Sequence, residues 1–108
     1  MNLITMDSLP DGFLSADPQY LLDIFSGPAL IHLKGEKSQP LFISTLLHGN
    51  EVTGFAALQE ILKKYKTLPR DLLIFIGNVE AASYNVRTLK HQRDFNRIWS
   101  DKEINEFP

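Results

Sequence analysis

Apolar residues gather in three dense runs along the chain, and polar residues separate them. "ALIHLKG" at 29–35 and "PLFISTLLHG" at 40–49 predict two strands, with "EKSQ" at 36–39 as a polar turn. The second run is almost continuously apolar, which predicts a strand buried on both faces. The two strands and their short link fit a β-hairpin. "LLIFIG" at 72–77 predicts a further buried strand after a "TLPRD" loop at 67–71. Between these runs the period changes. Val52, Phe55, Leu58, Leu62 and Tyr65 recur at helical spacing, which predicts a helix from Glu51 to about Lys66. Asn50 is placed to cap it, and Glu51 suits the positive end of its dipole. Upstream, "DPQYLLDIF" predicts a short helix with Asp17 as cap and Pro18 in the first position. Leu21, Leu22 and Phe25 give that helix an apolar face, and "SGP" at 26–28 stops it. Residues 1–16 show weak patterning. "NVEAASYNVR" at 78–87 predicts a turn and a short helix, and the pattern beyond it is irregular and polar.

A strand, a helix and another strand in succession give parallel neighbours. The hairpin adds an antiparallel pair. The predicted fold class is therefore α/β, with a mixed, partly parallel sheet and flanking helices. In open sheets of this kind ligands bind beyond the carboxyl ends of the strands. His48 and Asn78 both fall at such ends.

Composition narrows the picture without changing it. The chain has 108 residues, enough for one small domain. Its 11 basic and 13 acidic residues give a net charge of −2, so nothing points to nucleic acid or an anionic membrane as partner. Lys63, Lys64 and Lys66 suit the last turn of a helix better than a phosphate backbone. There is no cysteine, which excludes disulfides, thiolate nucleophiles and cysteine metal sites. Any metal must be held by His, Asp or Glu. The N-terminal stretch lacks the pattern of a signal peptide, and no apolar run approaches the ~20 residues that span a bilayer. A cytoplasmic location is the expectation.

Candidate chemistry begins in "LLHGNEVTG". His48 ends a strand and Glu51 opens a helix, so both project from one turn. Zinc accepts a His nitrogen and a carboxylate oxygen, and a catalytic zinc site takes three protein ligands plus an open position. Yet the bare His-x-x-Glu spacing equally fits an ordinary helix start with a polar histidine beside it. Arg87, Asn96 and Arg97 come next. A guanidinium can fork a carboxylate or polarise a scissile carbonyl, and Asn96 adds a neutral donor. Taken alone, these residues also fit a solvated loop with ion pairs such as Arg93 with Asp94.

In order, "HGNE", "GNVEAASYNVR" and "DFNRIW" resemble the succinylglutamate desuccinylase/aspartoacylase family, within the zinc carboxypeptidase-like hydrolases. The resemblance runs from about Leu41 to Trp99. Val79 stands where the family usually has proline, and Phe95 where it usually has leucine. The resemblance implies that His48 and Glu51 are zinc ligands, that Arg87 polarises the carbonyl, and that Asn96 and Arg97 grip a substrate carboxylate. Asp94 would orient the loop. The implied substrate is an N-acyl amino acid or another small carboxylate-bearing amide, and the implied cofactor is one zinc ion. The family's third ligand, a downstream histidine, and its general-base glutamate have no counterpart here. His91 comes too early, His32 reads as a core or sheet-face histidine with a local partner, and Glu103 and Glu106 match no family position. Residues 1–108 thus read as the N-terminal portion of a single zinc-hydrolase catalytic domain. The alternative is a non-catalytic relative that keeps the fold as an anion-binding or interaction module.

Overall fold

The computed structural model of the chain describes residues 3–90, 92 and 94. His91, Asn96, Arg97, Glu103 and Glu106 lie outside the described residues. The elements run β1 (Ile4–Met6), a 3₁₀ turn (Phe13–Ser15), a 3₁₀ helix (Pro18–Asp23), β2 (Ala29–Leu33), β3 (Lys37–Thr45), α1 (Val52–Lys64), β4 (Arg70–Ile76) and α2 (Val79–Ser83). The strands form one mixed sheet in the order β1-β2-β4-β3. β1 runs parallel to β2, β2 antiparallel to β4, and β3 parallel to β4. The expected α/β class and the parallel β3-α1-β4 unit are both present.

The expected hairpin is not. β2 and β3 run in opposite directions, but β4 lies between them. The link joining them is fastened to the start of β4 instead. Gly35 N–H donates to Asp71 Oδ1 at 2.7 Å, Glu36 N–H to the Leu68 carbonyl at 2.9 Å and Lys37 N–H to the Pro69 carbonyl at 3.3 Å. Gly35 is required by this close approach, since a Cβ there would lie 2.3 Å from the Arg70 carbonyl carbon. Lys37–Gln39, expected as a turn, therefore join β3, and Arg70 and Asp71, expected as loop, join β4.

β3 also departs from the expectation of burial on both faces. Among the described residues it pairs with β4 alone, and Leu41 and Phe42 remain about half exposed. β4 is the strand that fits that description. It pairs on both sides, and five of its seven residues are buried.

The helical elements cover one sheet face. Ala29, Ile31, Ile74 and Ile76 meet Leu21, Phe55, Leu58, Leu62 and Val79 in one core. Phe13 sits at its centre, edge-on to Phe25 and Phe55 with ring centroids 6.1 and 5.5 Å away. Such pairs add about 0.5–1.5 kcal/mol beyond area burial. The helix over Pro18–Asp23 is 3₁₀, capped as expected by Asp17, whose side chain accepts from Gln19 N–H. Leu21 and Phe25 are buried, but Leu22 faces solvent. α1 buries Phe55, Leu58 and Leu62 as its period predicts, while Val52 and Tyr65 are exposed. It ends at Lys64, and Glu51 occupies the cap position in place of Asn50.

Two polar groups fasten neighbouring elements to each other. Gln59, buried on α1, donates through Nε2 to the carbonyls of Phe13 at 2.8 Å and Ala16 at 2.9 Å. On the sheet's other side His32 Nε2 donates to Asp71 Oδ2 at 2.9 Å, the local partner expected for this histidine. The Gly35 amide and, next, His32 hold the Asp71 carboxyl below its ordinary pKa of 3.8. No described helix is long and apolar enough to cross a membrane.

Gln59→Leu removes both bonds and strands two carbonyls, at an expected cost of about 1–3 kcal/mol in urea unfolding. Asp71 leaves a pH signature. A depressed folded pKa stabilises fully above 3.8 and loses that contribution as pH falls through the folded value. Wild type should therefore exceed Asp71→Asn in stability at pH 7, and the difference should shrink below pH 3.8. Unfolding curves across that range check it.

Candidate functional site

Parallel pairing brings the carboxyl ends of β3 and β4 side by side, with Thr45 opposite Ile76. The ladder continues past both ends. Gly77 N–H donates to the Thr45 carbonyl at 3.0 Å, and Asn78 N–H to the Leu46 carbonyl at 2.7 Å. Leu46 takes φ of 54°, a left-handed conformation that a leucine holds only when its surroundings compel it. Its side chain is buried, which supplies that constraint. The chain then turns through His48. Gly49 packs against α2 so closely that a Cβ would lie 2.3 Å from Ala82 N. Its N–H donates to the Arg87 carbonyl at 2.9 Å, which ties this turn to the segment beyond α2.

Three side chains meet at His48. Asp94 Oδ1 lies 2.8 Å from His48 Nε2. A carboxylate only accepts, so Nε2 carries the proton and donates to it. In the neutral ring this leaves Nδ1 as a bare acceptor. Nδ1 faces Glu51, with Oε1 3.4 Å away. That carboxylate is steadied by the His48 N–H, which donates to the same Oε1 at 3.1 Å. This backward reach explains why Glu51 makes no side-chain cap for α1. Arg87 completes the group: Nη2 is 3.5 Å from Asp94 Oδ2, and Nε is 3.3 Å from His48 Nε2. With Nε2 protonated, the latter is a contact between two donors, and Asp94 is what draws both towards it.

The donor set fits a metal in part. An unprotonated ring nitrogen and a carboxylate oxygen facing each other need a positive charge between them, a proton or a metal ion. Zinc bonds of 2.0–2.2 Å at tetrahedral angles separate two donors by about 3.4 Å. The Nδ1–Oε1 spacing of 3.4 Å matches that edge. A carboxylate on the other ring nitrogen is the usual support of a metal-binding histidine. Glu51 is more than half exposed, so the pair is open to solvent. Among the described residues, no group of three His, Asp or Glu is gathered that could hold a metal.

Of the site residues expected from sequence, the structure brings His48, Glu51 and Arg87 together. Asn96 and Arg97 lie outside the described residues, as does Arg93 of the expected Arg93–Asp94 pair. His32 belongs to the Asp71 pair, away from this cluster. The sequence reading put Asn78 at a strand end but missed its two contacts, and it missed Gln92 altogether. Buried Asn78 caps α2 by accepting from Ala81 N–H, and its Nδ2 donates to Gln92 Oε1 at 2.6 Å. Asparagine before a short helix is a cap signal that could have revealed the first contact; nothing local marks the second. A cavity of about 650 Å³ lies elsewhere, lined by Leu33 and Leu62 among others, and shares no residue with the His48 cluster.

Residues 37–106 match the family model of the succinylglutamate desuccinylase/aspartoacylase catalytic domain. No curated protein and no solved structure matches the chain significantly. The matched segment covers well over half of the chain, from the first residue of β3 through the His48 turn, β4 and the Arg87 loop. The chain therefore belongs to the succinylglutamate desuccinylase/aspartoacylase family.

Proposed function

We propose that the protein is a zinc-dependent hydrolase of the amide bond in an N-acyl amino acid or a similar small carboxylate-bearing substrate. The observation that carries this reading is the His48–Glu51 pair, with Nδ1 and Oε1 3.4 Å apart and Asp94 on the ring's other nitrogen. Family membership supplies the chemistry to which such a pair belongs.

His48 Nδ1 and Glu51 Oε1 would hold the metal. Zinc, when bound, polarises a carbonyl and makes water a usable nucleophile at neutral pH. Asp94 fixes the His48 ring by accepting from Nε2–H, so the ring cannot rotate without breaking a charge-assisted bond. Glu51 is held by the His48 amide. Arg87 is anchored at its backbone by Gly49, while most of its side chain is solvent-exposed. Its guanidinium would meet an approaching carbonyl and stabilise negative charge as it develops there. Asn96 and Arg97 come two and three positions after Asp94, and they would grip the substrate carboxylate, Arg97 by its planar fork. Among the described residues no third ligand joins this pair in a group that could hold a metal.

In the full-length protein, His48→Ala should lose retained zinc and reduce hydrolysis of N-acyl amino acids by at least about 100-fold. Circular dichroism should stay unchanged, because the core excludes His48. Asp94→Ala should weaken zinc binding by about 10–100-fold. Metal content after dialysis and steady-state rates check both. A His48→Ala protein with full zinc and full activity overturns the proposal. A folded wild type that binds anions but neither zinc nor hydrolyses any such amide favours a binding module instead.

A further inference from the structure

The loop that carries both Arg87 and Asp94 is long, with six residues between them. Long loops do not ordinarily hold two side chains to a fixed point at their ends. Three fastenings make the difference here. The Arg87 carbonyl accepts from Gly49 N–H at 2.9 Å, and Asp94 accepts from His48. The third lies midway, at Gln92.

Gln92 Oε1 accepts twice, from Asn78 Nδ2 at 2.6 Å and from Leu89 N–H at 3.0 Å. The Gln92 N–H in turn donates to the Leu89 carbonyl at 3.2 Å. Leu89 and Gln92 are thereby bonded to each other in both directions. The pair hangs from Asn78, whose side chain is fixed because Oδ1 caps α2 and only 1% of the residue is exposed. Asn78 is in turn bonded at its backbone to Leu46, two residues before His48.

We propose that Gln92 is a positioning residue, whose side-chain oxygen pins the loop to Asn78 and so sets Asp94 against His48. Gln92 is bonded to Asn78 and Leu89, not to the His48–Glu51 pair or Arg87 among the described hydrogen bonds, and it acts through those two partners. Its two partners are both donors, so only the acceptor oxygen matters. A glutamate at this position keeps that acceptor, whereas methionine keeps the length and loses it. The consequence for zinc rests on the function proposed above; the consequence for the loop does not.

The test compares wild type, Gln92→Met and Gln92→Glu in the full-length protein. Amide hydrogen exchange is read at Leu89 and Gly49, and affinity is titrated with zinc alone. In Gln92→Met the Leu89 amide should exchange about tenfold faster, while Gly49, bonded to the backbone, changes less. Zinc affinity should fall about tenfold with the thermal midpoint unmoved. Gln92→Glu should restore both, a recovery that a purely space-filling role would not give. Unchanged Leu89 exchange in Gln92→Met overturns the proposal, as does a Gln92→Glu protein that behaves like Gln92→Met. Loosened exchange with unaltered zinc affinity overturns the positioning role. If Leu89 loosens and recovers as expected but wild type binds no zinc, the pinning stands and the functional reading fails.

Discussion

Thr45 and Ile76 face each other across a parallel ladder, and hydrogen bonding does not stop where the strands do. Asn78 N–H reaches the Leu46 carbonyl, so two loops that would otherwise diverge leave the sheet as one unit. Everything chemical in the molecule is built outward from that seam. Leu46 bends under it, His48 follows the bend, and Asn78 starts α2 beside it. Buried backbone groups must find partners, and here that requirement also sets the positions of reactive side chains.

The His48 cluster is a balance of donors and acceptors more than a set of charges. Asp94 accepts a hydrogen bond from the ring Nε2–H and lies beside the Arg87 guanidinium; Glu51 accepts from a backbone amide. Each carboxylate is thus oriented by a donor outside the space between Nδ1 and Oε1. What is left facing that space is acceptor on both sides. Glu51 and Arg87 are more than half exposed, and ion pairs of exposed groups contribute little to stability, so their presence here is poorly explained as a device for holding the fold.

Local periodicity carried β2, β4 and the buried face of α1, because each depends on which residues lie on one side of one element. Strand order was not legible in the same way. Whether β4 enters between β2 and β3 depends on Gly35, Glu36 and Lys37 bonding to residues 68–71, a choice that no short window contains. β1 has three residues, too few to show a period. In the site, His48 and Glu51 were readable because one turn holds both, and Arg87 through the order of motifs. The bonds of His48 to Asp94 and of Asn78 to Gln92 span 46 and 14 positions. Such contacts follow from where the loop returns, not from what it is made of.

The strand order has a kinetic side. No ladder in this sheet joins strands that a short turn could close. The nearest partners in sequence, Ile4 and Ala29, are 25 positions apart, and Ala29 and Ile76 are 47 apart. Every pairing must therefore bring distant segments together before any contact rewards it, which places the domain among slow folders for its size. During synthesis β2 and β3 emerge with their shared neighbour still to come. The seam at Thr45 and Ile76 cannot form until β4 has left the ribosome, and until then the His48 turn has nothing to lean on.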